Sequence, residues 1–242
     1  MIVSNRIRRQ PPRIHATAQL IGGRSHQCDV TATYTHNGAR AYTLLDGIGS
    51  SDEIRDWTRT AARQVARAAA RRGDAEAGLR AVYNRYAADP ERHDVWADLP
   101  DACAVVAVHT PGLLTVAWCG DVRAYVLAGG TLHRLTNDHN MRRVIGGSRN
   151  RVTSWLGSEL TEEQVLDQVG HPAIETATRH PVRERLILAS DGAYEPLEDN
   201  GCRLPDYLIG TPAEAAADFT ESAIAFAGGH ADNATVLVAD LG

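Results

Sequence analysis

The spacing of the strand-like runs constrains this chain more than any other feature. Runs at residues 16–21, 29–35 and 40–45 come first, and Asn37-Gly38 between the last two is a tight hairpin signal. A second set follows at 102–109, 113–119, 122–128 and 131–135, with Pro111-Gly112 and Gly129-Gly130 as turns. Gaps this short join antiparallel neighbours, because a parallel crossover needs roughly a dozen residues or more. Between the sets the period becomes helical. Ser51 can cap a helix whose apolar face is Ile54, Trp57, Ala61, Val65 and Ala68, and a second helix from Asp74 to about Ala88 buries Leu79, Val82, Tyr83 and Tyr86. Residues 139–184 read as mixed, with short helical stretches and loops. Residues 185–189 resume as a strand, 212–226 form a helix capped by Thr211, and 234–241 form a last strand. The expectation is one α+β domain over residues 15–242, its antiparallel sheets packed under helices. A flexible basic tail over residues 1–14, carrying Arg6, Arg8, Arg9 and Arg13, precedes it.

Composition removes whole classes of function. All 25 basic residues are Arg. Schiff-base chemistry, the phosphate-binding Lys of a P-loop and the strand Lys of a kinase are therefore excluded. A net charge of −5 gives no general attraction to nucleic acid, and no nucleic-acid partner is expected. The apolar runs at 102–108 and 113–119 fall far short of the ~20 residues of a membrane span, and no signal peptide is read. Cys28, Cys103, Cys119 and Cys202 form no CxxC pair, which suits free thiols in a reducing cytoplasm. Residues 47–52 (GIGSSD) nearly match a dinucleotide fingerprint. They end in Asp where Gly is needed, and the βαβ alternation is missing. HExxH and GxSxG are absent.

Acidic residues recur at the ends of apolar strands: Leu45-Asp46-Gly47, Ser190-Asp191-Gly192, and Asp232-Asn233 before the strand at 234–241. Each occurrence alone suits a turn. Together they offer hard oxygen ligands, with the Gly47 carbonyl beside Asp46, and such a set selects Mg²⁺ or Mn²⁺ over zinc.

These residues resemble the metal-dependent Ser/Thr protein phosphatases of the 2C type. Residues 24–29 (RSHQCD) are similar to that family's R-x-x-N-E-D, 46–49 (DGIG) to D-G-x-G, 119–123 (CGDVR) to G-D-S-R, and 135–139 (LTNDH) to L-T-x-D-H. Residues 152–157 (VTSWLG) look like the segment ending A-L-G, 190–192 like S-D-G, and 232–235 (DNAT) like D-N-x-T. The resemblance implies a four-layer α-β-β-α sandwich of two antiparallel sheets flanked by helices. It also implies hydrolysis of phosphoserine and phosphothreonine in a phosphorylated protein substrate by a metal-activated water. It makes Asp46 the ligand shared by two Mn²⁺ or Mg²⁺ ions, the Gly47 carbonyl a ligand of one, and Asp191 and Asp232 ligands of the other. Asp121 and Asp191, with Glu195 nearby, would hold a third ion, and Arg24 would bind the phosphate. Asp29 and Asn233 support the ligands from outside.

Several positions depart from the family pattern. Cys28 stands where many members have a metal-binding Glu, so the second metal is expected to bind more weakly or to rely on Asp29 through water. Ile48 replaces the His that eukaryotic forms carry as a candidate general acid. Val122 and Trp155 read as packing changes, and Asp138 and His139 as residues that hold a loop. The alternative reading is a catalytically weak or inactive phosphatase-fold module with a binding or regulatory role. Cys28 favours that alternative; the retained Asp46, Asp121, Asp191 and Asp232 oppose it.

Overall fold

Strand pairing follows the short connections. This computed structural model describes residues 15–94, 96–180 and 184–241; the basic tail expected at 1–14 lies outside them. The strands are β1 (His15–Leu20), β2 (Val30–His36), β3 (Ala39–Gly47), β4 (Ala102–Thr110), β5 (Leu113–Cys119), β6 (Arg123–Ala128), β7 (Thr131–Arg134), β8 (Glu175–Arg179), β9 (Glu184–Ala189) and β10 (Ala234–Leu241). They form two five-stranded sheets in the orders β1-β10-β9-β6-β7 and β2-β3-β4-β5-β8. Every pairing that links them is antiparallel.

The helices are α1 (Asp52–Arg72), α2 (Ala75–Ala87), α3 (Met141–Ile145), α4 (Glu162–Val169), α5 (Asp191–Asp199) and α6 (Pro212–Ala227). They start where the sequence provides caps. The Ser51 hydroxyl accepts from Ile54 N at 3.2 Å at the head of α1, and Thr211 with Glu214 forms a capping box on α6.

Period-two alternation in the strands sorts three cores. Along β4, Ala104, Val106 and Val108 face Ala62, Val65, Ala66 and Leu79 of α1 and α2. Cys103, Val105 and Ala107 face the other sheet, meeting Val126, Leu188 and Leu237. On the far side, Val236 and Val238 of β10 pack with Phe219 and Ala223 of α6 and Tyr194 and Leu197 of α5. The result is a four-layer α-β-β-α sandwich. Both faces of β4 and β10 are covered, so these strands are apolar over most of their length, and each fully buried Val or Leu contributes about 1.5–3 kcal/mol. Val122, with 1% exposure, sits in the core between the sheets.

Two elements differ from the sequence reading. The mixed region contains an edge strand, β8, whose sequence ETATR buries little and so carries no apolar run. Residues 191–199 form α5, although Asp191-Gly192 reads as a turn and Pro196 lies inside the helix. Among the described residues, no helix is long and apolar enough to cross a membrane.

Candidate active site

The acidic strand ends meet at one end of the sandwich, where both sheets contribute. Asp46 is the penultimate residue of β3 and pairs in register with Cys103 of β4; Gly47 ends the strand. Asp121 lies in the turn between β5 and β6. Asp191 opens α5 one residue past the end of β9, with Ser190 between them, and Asp232 lies two positions before the start of β10. Arg24 comes from the loop between β1 and β2. All of these, with Glu195 and Asn233, line one cleft of about 540 Å³.

Two glycines allow the close approach. A Cβ on Gly192 would lie 2.2 Å from the Asn233 carbonyl oxygen, so the start of α5 can touch the start of β10 only without a side chain there. Gly120 has φ +95° and lies against Cys103, which brings Asp121 toward Asp46.

A buried frame fixes the backbone around the carboxylates. Asn233 Nδ2 donates to Ile21 O at 2.9 Å, and its Oδ1 accepts from Cys28 N at 2.7 Å, which ties the Arg24 loop to β10. The Ser190 hydroxyl donates to Asp29 Oδ2 at 2.8 Å and accepts from Thr235 N at 3.0 Å. Tyr194 donates to Asp121 O at 2.9 Å. Its ring lies 3.6 Å beneath Arg123, which pairs with Asp138 and Glu198.

The most buried carboxylates of the cleft lack a cationic partner among the described residues. Burial, reinforced by Asp29, Asp191 and Asp121, pushes the Asp46 carboxyl far above its ordinary range. Burial raises Asp29 to about 7, and burial with the charge of Asp191 does the same for Asp121. Asp191 is raised by burial and by Asp232, and Glu195 reaches about 7 by burial and Asp191. Arg24 pairs with Asp232 and Arg149 with Glu195 at 3.0 Å, whereas Asp29, Asp46, Asp121 and Asp191 have no ion pair among the described residues. Asp29 Oδ1 is buried without a hydrogen-bond donor.

Hard oxygens, buried and mutually repelling, fit divalent cations of the Mg²⁺ or Mn²⁺ kind. As the side chains stand, no three His, Cys, Asp or Glu side chains among the described residues converge to grip an ion. Asp232 pairs with Arg24, and Asp46 contacts Asp29 and Asp191.

Residues 22–144 match the family model described as Protein phosphatase 2C. The chain belongs to the protein phosphatase 2C family. Within that family, Probable protein phosphatase 2C 8 of rice (Oryza sativa subsp. japonica) is 29% identical over 233 residues, covering 84% of this chain and 55% of the rice protein. The serine/threonine protein phosphatase PstP of Mycobacterium tuberculosis is 31% identical over 126 residues, covering 50% of this chain and 24% of PstP. The chain spans about half the length of the rice relatives it matches. Among solved structures, PppA of Pseudomonas aeruginosa superposes with a TM-score of 0.74 at 21% identity, covering 95% of this chain and 98% of that one. The catalytic domain of PstP in complex with two manganese ions superposes with a TM-score of 0.65 at 23% identity, covering 94% and 97%.

Other positions of this phosphatase 2C chain show what the sequence left unseen. Cys28 does not line the cleft; its thiol, raised chiefly by burial, donates to Ser51 O at 3.7 Å under the start of α1. Cys103 does line it, beside Asp121. Register with Asp46 is the signal that could have found it. Arg149, Asp199 and His230 also line the cleft, and they come from segments that carry no motif. Ile48 sits at the mouth, 42% exposed. His139 is fully buried and stacks on His171 at 4.3 Å; its N donates to Gly120 O and its O accepts from Thr153 N, so it holds the loop after β7 in place.

Proposed function

We propose that this chain hydrolyses phosphoserine and phosphothreonine in proteins with the help of divalent metal ions. One observation carries the reading: Asp46, Asp121, Asp191 and Asp232 gather in a single cleft, where the first three are buried, repel one another and have no ion pair among the described residues, and Arg24 stands beside them paired with Asp232. Family membership and the two manganese ions of PstP support it.

Asp46 and the Gly47 carbonyl would hold one ion, and Asp46, Asp191 and Asp232 a second; Asp121, Asp191 and Glu195 form a further acidic group for a third. Metal bound there supplies Lewis-acid activation of water at neutral pH and offsets charge on the phosphoryl oxygens. Arg24, released from Asp232, would present its planar fork to the phosphate through paired charge-assisted hydrogen bonds that Lys cannot reproduce. Ile48 offers no proton, so water in the cleft would protonate the leaving oxygen. Four free thiols fit a reducing cytoplasm as the setting.

The test is a panel of peptides carrying phosphothreonine, phosphoserine or phosphotyrosine, assayed for phosphate release with Mn²⁺. Turnover of the first two well above the third is expected. Equal turnover would remove the Ser/Thr assignment. Binding of the peptides without turnover would favour the alternative of an inactive module, whose supporting observation is the withdrawal of Cys28 from the cleft.

A further inference from the structure

A second pocket, of about 390 Å³, lies beside the acidic cleft and shares Arg149 and Glu195 with it as a common wall. Its lining carries five guanidinium groups and three carboxylates, and Glu175 and Asp199 pair with Arg143 and Arg149 from just outside it. The three carboxylates are already engaged. Arg123 grips Asp138 at 2.7 and 2.8 Å and Glu198 at 2.9 Å, and Arg149 holds Glu195 at 3.0 Å.

Three arginines remain. Arg143 pairs with Glu175, which is outside the pocket lining. Arg134 reaches Asp138 only at 3.8 Å, an oxygen that Arg123 already takes at 2.7 Å. Arg142 is exposed and has no ion pair among the described residues. Guanidinium forks that lack full partners, in a concave wall, match planar oxyanions. The neighbouring cleft is the reverse: its lining carries six carboxylates against two guanidinium groups, Arg24 and Arg149.

We propose that this second pocket is a subsite for an oxyanion on the phosphorylated peptide, a carboxylate or a second phosphoryl group flanking the residue whose phosphate enters the acidic cleft. The inference rests on the phosphatase reading above. Arg142 and Arg134 supply the unspent donors, while Arg149, held by Glu195 and Asp199, separates the two anions and keeps the flanking group out of the metal ligands. Peptides with neutral or basic flanks gain nothing from the pocket.

The test uses a phosphothreonine peptide in which one flanking position, walked along both sides, is Asp, phosphoserine, Ala or Arg. KM and kcat are measured at low and high salt. At the matching position, Asp and phosphoserine should lower KM about two- to fivefold relative to Ala, the range of an exposed ion pair. Raised salt should erase the difference. A gain for both Asp and phosphoserine identifies any oxyanion; a gain for phosphoserine alone narrows the site to phosphate. Arg142→Ser with Arg134→Ser should abolish the ratio of KM values between acidic and neutral peptides, and Arg142→Glu should turn the preference toward the Arg-flanked peptide. Each ratio is taken within one variant, so partial loss of folded protein cancels. Turnover with equal KM for all flanks overturns the subsite and leaves the phosphatase reading standing. Absence of turnover on every peptide overturns both.

Discussion

At the scale of single residues, the site is a collection of carboxylates that a metal-free protein can hold only at a cost. Replacing Asp by Asn keeps the shape and removes the charge. Asp46→Asn, Asp191→Asn and Asp232→Asn should each lose tight Mn²⁺ binding in calorimetric titration and about a hundredfold or more in turnover. Asp121→Asn should keep the tight phase, lose a weak one and lose activity chiefly at low metal; in the same series Arg24→Ala should raise KM. Four Asp variants that bind Mn²⁺ like the parent would return these residues to the role of turn formers. The pH dependence has a definite sign. Asp121 titrates at about 7 when folded, chiefly through burial, against an ordinary value of 3.8, so between these values the folded state binds the extra proton. Stability from this group is therefore fully present below about pH 4 and is lost as pH rises through about 7. In excess chelator, Asp121→Asn should be more stable than the parent at pH 8, by a few kcal/mol at most, and the gap should close toward pH 5. Denaturant melts at the two pH values check this, and a gap that widens on acidification would contradict it.

At the scale of elements, legibility followed exposure. Strands covered on both faces, such as β4 and β10, are plain in the sequence because nearly every residue is apolar. The edge strand β8 is not, since ETATR offers one apolar residue, Ala177, with Thr176 and Thr178 exposed, and its pairing with β5 is decided by tertiary contact. The helix α5 was hidden for a different reason. Ser190-Asp191-Gly192 carries turn chemistry and Pro196 breaks the helical pattern, yet Ala193, Tyr194 and Leu197 are buried against α6 and β10. The motif residues were readable by their order along the chain. Cys103 and Arg149 were not, because their place in the cleft depends on register and on a loop path. Cys28 occupies a ligand position in the sequence pattern, and only the fold shows its thiol turned to Ser51. The contact between α5 and β10 makes a prediction at this scale. Gly192→Ala places a Cβ 2.2 Å from the Asn233 carbonyl oxygen and 3.1 Å from the Asp232 Cβ, neither of which is the far end of a flexible side chain. It should destabilise by about 1–3 kcal/mol and weaken Mn²⁺ binding together, because Asp191 and Asp232 flank the contact. A variant with normal melting and normal metal affinity would show that the two elements separate freely.

At the scale of the whole molecule, three packed cores of buried apolar residues hold the layers together, and the cleft sits at one end where the two sheets deliver their acids. Fold and chemistry are thus separable: the layers stand on buried Val, Leu and Ala, while the proposed reaction depends on metal. The most direct measurement is phosphate release from a small aryl phosphate with Mn²⁺, then in excess chelator, with circular dichroism recorded on the same samples. Activity should vanish on chelation and return with Mn²⁺, while the spectrum stays unchanged. Undiminished hydrolysis in chelator, in protein shown to be metal-free, would contradict the account at its centre.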